Sequence, residues 1–140
     1  MSYYRLSLFS KLEEIPRLRH CLGAVARIEG YSKAFIEKVE LSVHEVFVNA
    51  VRHGNRDDAA LPVTMTLDTG EVLEKPFLEV RIKDCGEGFE PERTIAAICS
   101  ARAGIAPGGR GLFLVNQFAD SFRIKRVDGG CVVVLRYIPY

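Results

Sequence analysis

Three groups of residues able to do chemistry occur in a fixed order along the chain. The first is Glu45, Asn49, Arg52 and His53, inside a run whose apolar residues Ile36, Val39, Val43, Phe47 and Ala50 recur every three or four positions. At about 100° per residue, Glu45, Asn49 and Arg52 fall within about 60° of one another and roughly 100° or more from that apolar stripe. They form a polar edge beside a core face, which suits either a solvated helix flank or the wall of a site. The neighbouring His44-Glu45 pair invites a zinc-protease reading, but that chemistry needs a second histidine four residues on, and position 48 is valine.

The second group is Asp84-Cys85-Gly86-Glu87-Gly88-Phe89, leaving a strand. An aspartate there presents an acceptor, and the glycines permit a backbone approach that a side chain would block, which fits a nucleotide base. Asp and Gly are also what a tight turn selects. The third is Gly108-Gly109-Arg110-Gly111-Leu112, running into a helix. Free backbone N–H groups and the helix dipole at such a start form an anion site suited to phosphates, although glycines before a helix also serve as a flexible join. The run is no Walker loop, because no Gly-Lys-Ser/Thr follows, and no Rossmann fingerprint, because no strand precedes it.

The elements that position these groups follow from periodicity. Tyr4, Leu6 and Leu8 alternate with polar residues as a strand, and Ile15 to Ile28 turns to helical spacing that Gly30 closes. Ser32 is the N-cap of a long helix, for which Gly54-Asn55 supplies the stop. Val63, Met65 and Leu67, then Leu78, Val80 and Ile82, mark two strands joined as a hairpin by a polar connection, Asp68 to Lys75. A glycine-rich segment follows, read as a functional lid at about 89–108, then a short helix from Leu112 to Phe118. Phe122 to Lys125 and Cys131 to Tyr137 end the chain as a hairpin across Asp128-Gly129-Gly130. The expected fold is an α+β two-layer sandwich, a mostly antiparallel mixed sheet with helices on one face, in a single domain spanning 1–140.

Composition narrows the function classes. The 140 residues suffice for one core and not for two ordinary domains. Nineteen Lys and Arg against 18 Asp and Glu, with no block of like charge, make nucleic acid and acidic membranes poor first guesses for a partner. Cys21, Cys85, Cys99 and Cys131 form no C-x-x-C pair and read as reduced thiols. With neither a signal-peptide pattern nor a long apolar run, the expected location is the cytoplasm.

The order of the three groups is more specific than any one of them. E-x-x-x-N-A-x-x-H-G on a helix, D-x-G-x-G after a strand and G-x-G opening a helix together resemble the boxes of the histidine-kinase-like (GHKL) ATPases, over nearly all of Ser32 to Tyr137. The short form, with Glu45-Val-Phe-Val-Asn49-Ala-Val-Arg-His53-Gly54, resembles the stand-alone serine/threonine kinases that act as bacterial anti-sigma factors.

That resemblance implies ATP and Mg²⁺ as cofactors. Asn49 would ligate the metal, Asp84 would bind the adenine amino group with Gly86 and Gly88 shaping its pocket, and Gly109 and Gly111 would offer N–H groups to phosphate. Leu112 and His53 belong to the same boxes and count among the ATP-binding residues. Glu45 matches the family's general base toward an acceptor serine or threonine. Arg52 matches a basic position of the sensor kinases and is read as a phosphate contact, while Arg110 is either a phosphate clamp or a surface residue.

The implied partners are an anti-anti-sigma protein, a sigma factor and a second copy of the chain, through the first strand and first helix. Two alternatives stay open: a non-catalytic ATP-binding partner switch, and the detached ATP-binding domain of a sensor histidine kinase. The latter would need a phosphoaccepting histidine, and His20, on a short helix without a partner, reads as a structural or surface residue.

Overall fold

Alternating residues form strand β1 (Ser2–Phe9), followed by one 3-10 turn at Leu12–Glu14 and helix α1 (Ile15–Glu29). Helix α2 (Lys33–Asn49) continues into a π-helical turn at Ala50–Gly54, and then come β2 (Pro62–Val72), β3 (Lys75–Asp84), β4 (Ser121–Val127) and β5 (Gly130–Tyr137). The computed structural model describes residues 1–86 and 118–140. The expected lid at 89–108, nearly all of the expected helix from Leu112 to Phe118, and Cys99 lie outside the described residues.

The helix ends use the residues that sequence singles out. Gly30 takes the left-handed φ of 74° that closes α1, and Pro16 sits in its first turn, where a missing N–H costs nothing. The Ser32 hydroxyl accepts the Phe35 N–H at 3.1 Å, capping α2, and donates to the Tyr140 carbonyl at 2.8 Å.

The sheet order is β1-β2-β3-β5-β4, and every described pairing is antiparallel. One face carries Val63, Met65 and Leu67 of β2 beside Val80 and Ile82 of β3 and Leu135 of β5, all buried. Leu18, Leu22 and Val25 of α1 and Phe35, Val39, Val43 and Phe47 of α2 close on that face. Burying each such side chain is worth roughly 1.5–3 kcal/mol, so this contact dominates the fold. His20 projects to solvent from α1, whose inner residues are committed to this core. Thus α1 forms a layer of the sandwich. The edge strand β4 carries exposed Arg123, Lys125 and Arg126, charges that discourage pairing with another edge.

One connection differs from expectation. The stretch from Asp68 to Lys75 is no loop: β2 runs on to Val72, which pairs with Lys75, and only Leu73 and Glu74 turn the chain. Polar residues continue a strand here because the Thr69 hydroxyl accepts the Ser2 N–H at 2.9 Å, and Gly70 makes room for the Phe77 ring. Leu73 and Glu74 both take left-handed φ, 52° and 65°, the geometry of a type I′ turn, which favours Asn-Gly. Holding side-chain-bearing residues there costs about 1–2 kcal/mol each. The double change Leu73→Asn, Glu74→Gly should therefore raise the urea midpoint, with a gain of about 1–2 kcal/mol; an unchanged or lower midpoint would contradict this strained turn.

Candidate functional site

Helix α2 is laid along the β3–β5 pair by contacts at two points. Near its middle the buried Ser42 hydroxyl bonds the Tyr137 hydroxyl of β5, beside Leu78 of β3. Beyond its end, the backbone of Gly54 lies against the Asp84 carboxyl group. Twelve residues of helix rise about 18 Å and six residues of strand about 20 Å, so the two spans match. Glu45 and Asn49 are half-buried and lie between these points, on the flank that Ser42 occupies. The polar edge therefore runs toward the strand end that carries Asp84.

At that end the glycines are a steric requirement. A Cβ on Gly54 would collide with the Asp84 carboxyl, one on Gly86 with the Gly54 carbonyl, and one on Gly130 with the Asp84 carbonyl. Three segments thus meet backbone to backbone around one side chain. Asp84 is 2% exposed, and its Oδ1 accepts the Gly86 N–H at 3.1 Å. Burial pushes its carboxyl above the usual carboxylate range, and the N–H groups of Gly86 and Cys131, with the charges of Lys83 and Arg126, oppose that shift without cancelling it. A desolvated acceptor of this kind is suited to a ligand amino group.

Asn55 holds this convergence together. Its Nδ2 donates to Ser10 Oγ at 2.7 Å, the Pro62 carbonyl at 3.0 Å and the Leu61 carbonyl at 3.3 Å, while its Oδ1 accepts the Cys85 N–H at 2.8 Å. One buried amide therefore links the end of β1, the start of β2 and the residue after Asp84. Sequence reasoning took Asn55 only as a helix stop and Gly130 only as part of a turn. A signal for Gly130 was present: the Asp128-Gly129 turn needs one glycine, Gly129 at φ 77°, so the second must serve space.

The π-helical turn changes the helical placement of Arg52. The Asn55 N–H bonds the Ala50 carbonyl at 2.8 Å, so the last turn is wider than an α-helical one and the regular 100° step does not reach Arg52. The side chains of Arg52 and His53 are exposed. His44 Nδ1 is buried without a hydrogen-bond partner among the described residues. The structure thus brings Gly86 and Asp84 to the end of the helix that carries Glu45 and Asn49. Gly88, Gly109, Arg110, Gly111 and Leu112 lie outside the described residues.

Residues 8–137 match the family described as the histidine kinase-like ATPase domain. The chain is 29% identical over 140 residues to a serine-protein kinase RsbW of Listeria monocytogenes, covering 95% of this chain and 85% of that protein. It is 30% identical over 138 residues to the RsbW of Listeria innocua, with the same coverage, and 25% identical over 148 residues to that of Bacillus subtilis, covering 97% and 86%. Among solved structures, the RsbU and RsbW domains of a Mycobacterium tuberculosis protein superpose with a TM-score of 0.67 at 16% identity, covering 99% of this chain and 33% of that one. The SiaB-SiaC complex of Pseudomonas aeruginosa gives 0.56 at 13% identity, covering 96% and 89%.

Two measurements test the strand-end geometry. Gly54→Ala and Gly86→Ala should each lower stability by about 1–3 kcal/mol in urea unfolding, whereas Gly23→Ala, with nothing within 4 Å in mid-helix, should raise it by about 0.5–1 kcal/mol. The Asp84 shift also fixes a sign. A carboxyl whose folded pKa lies above its unfolded value stabilises the fold fully below the unfolded value and loses that contribution as pH rises through the folded one. At pH 7, above the unfolded value, the buried carboxyl is therefore a net cost. Asp84→Asn should leave the ligand-free protein at least as stable as wild type at pH 7, an advantage that shrinks as the medium is acidified; lower stability at pH 7 would contradict the assignment.

Proposed function

This chain belongs to the histidine kinase-like ATPase domain family, and on that premise we propose that it is an ATP-dependent serine/threonine protein kinase of the anti-sigma type, acting on an anti-anti-sigma protein. One observation carries the reading: the buried Asp84 carboxylate stands in a glycine cradle at the end of the helix edge formed by Glu45 and Asn49. Asp84 accepts the adenine amino group, which replaces the hydration that burial removed, and Gly54 and Gly86 let the helix end and the strand exit close on that carboxyl. A hydrophobic or cationic residue in place of Asp84 would lose that selectivity.

Bound Mg²⁺-ATP supplies the phosphoryl group and the charge neutralisation that its transfer needs. Asn49 would hold the metal, because its neutral amide offers a hard oxygen donor from a half-buried position, which suits an ion that keeps most of its shell from phosphate and water. Glu45, one turn earlier on the same flank, takes the proton of the acceptor hydroxyl. Exposed Arg52, beyond Asn49, would contact phosphate, and exposed His53 would join the ATP-binding residues beside it. By the same reading Gly109 and Gly111 would offer N–H groups to the phosphates, Gly88 would shape the adenine pocket with Gly86, Leu112 would belong with them, and Arg110 would serve either as a phosphate clamp or at the surface.

The whole 140-residue chain acts in this reading as one domain, in the cytoplasm, where ATP and Mg²⁺ are available. No described helix is long and apolar enough to cross a membrane. A sigma factor is the second partner. A second copy joins through the edge strand β1 and through α1, whose Ile28 is 70% exposed.

The roles separate experimentally. Asn49→Ala should weaken ATP binding in calorimetry only when Mg²⁺ is present; an equal loss in EDTA would remove Asn49 from the metal. Glu45→Ala should keep ATP affinity while phosphate transfer to a bound antagonist falls by ~10² to 10⁴-fold, the usual worth of a general base. If the wild-type protein transfers no phosphate to any protein it binds, while ATP still controls that binding, the molecule is a nucleotide-gated switch and not a kinase.

A further inference from the structure

The helices cover one face of the sheet, and a second concavity of about 400 Å³ lies on the other. Val132 and Val134 of β5, with Thr64 and Thr66 of β2, form its floor, and Tyr3 and Val127 stand at its sides. Tyr3 is 60% exposed and Val127 40%. Arg5 of β1, Arg81 and Lys83 of β3 and Lys125 of β4 line it as well, so all four cations come from strands that converge on one hollow. Among the described residues no carboxylate lines it.

The charge is only partly compensated nearby. Glu79, on the same face, holds Arg81 at 2.7 Å and Arg136 at 3.5 Å, and Arg136 lies over the Phe77 ring. Arg5, Lys83 and Lys125 form no ion pair among the described residues. An apolar floor with a cationic rim is complementary to a ligand with the reverse pattern, apolar below and acidic at its edges.

Other occupants fit less well. A second copy placed face to face by a two-fold axis would set these cations against themselves. A bilayer surface is flat where this site is hollow, and single-stranded RNA favours a platform of several aromatic rings, whereas Tyr3 is the one ring lining this groove among the described residues. We propose that the open face of the sheet is a docking groove for an acidic, amphipathic segment of a partner protein, laid on Val132 and Val127 with its carboxylates on Arg5, Lys83 and Lys125. Asp84 projects to the opposite face from its neighbour Lys83, so this groove is separate from the nucleotide pocket.

The test uses the full chain and a labelled helical peptide with leucines on one face and glutamates on the other. Anisotropy should show saturable binding, weakened about tenfold or more by Arg5→Glu with Lys125→Glu and by rising salt, because these charges act across a solvent-screened rim. The double variant should keep wild-type ATP affinity, which separates loss of the groove from loss of the fold, and the milder Arg5→Ala with Lys125→Ala should fall between. Hydrogen exchange should slow at Val132 to Val134 when the peptide is added. No binding of the peptide, equal binding of its lysine counterpart, or no effect of the double variant would overturn the proposal. So would tighter binding of oligouridylate or phosphatidylglycerol vesicles, or a Lys125→Glu reversal alone, on the edge opposite β1, that changes the sedimentation of the free protein, which would mark the face as a contact between copies.

Discussion

A single carboxylate, held almost out of water against the backbone of a helix end, is the constraint on which the strand-end architecture depends. Ionised Asp84 has lost most of its hydration and recovers only part of it from neighbouring N–H groups, so the empty site carries an electrostatic cost. The broad contact between α1, α2 and the sheet offsets it. A better-solvated aspartate would make the protein easier to fold and a worse acceptor, because water would compete for the same lone pairs. Stability and recognition pull in opposite directions at this residue.

Keeping that carboxylate in place requires agreement between distant parts of the chain. Ser10, Asn55, Leu61, Pro62 and Cys85 belong to four separate stretches, yet one amide side chain satisfies polar atoms in all of them. Each bond is modest alone, but a buried network with every member paired fixes a unique geometry. The network lies next to Asp84 without touching it. A site of this kind is rigid because its support is shared with the tertiary fold.

The fold was largely legible because its signals are periodic. Alternation in Tyr4, Leu6 and Leu8 and in Leu78, Val80 and Ile82, and the spacing of Val39, Val43 and Phe47, report which face meets the core, and the structure follows them. The β2–β3 turn was not legible, because Leu73-Glu74 lacks the Asn-Gly chemistry of its geometry and strand pairing imposes the turn against local preference. At the site, Glu45, Asn49, Asp84 and Gly86 stood out by type and order. Asn55 did not, since a buried amide that bridges loops has no periodic signature. Arg52 was placed by a helical step that ends before it, and only the hydrogen bond from Asn55 to Ala50 reveals the wider turn.

That wider turn also governs how the chain can change in length. A loop closed from Asn55 back to Ala50 holds one residue more than an α-helical turn, so deleting one residue would let the ordinary ladder resume at no cost to the helix itself. The damage would appear downstream, where every following residue would be carried round by about 100° and Gly54 would no longer face Asp84. Residue count between Asn49 and Gly54 is therefore constrained as tightly as residue identity. In an alignment of related chains, a gap in this interval would identify a protein whose strand-end acid has lost its backbone neighbour, even if every motif letter were retained.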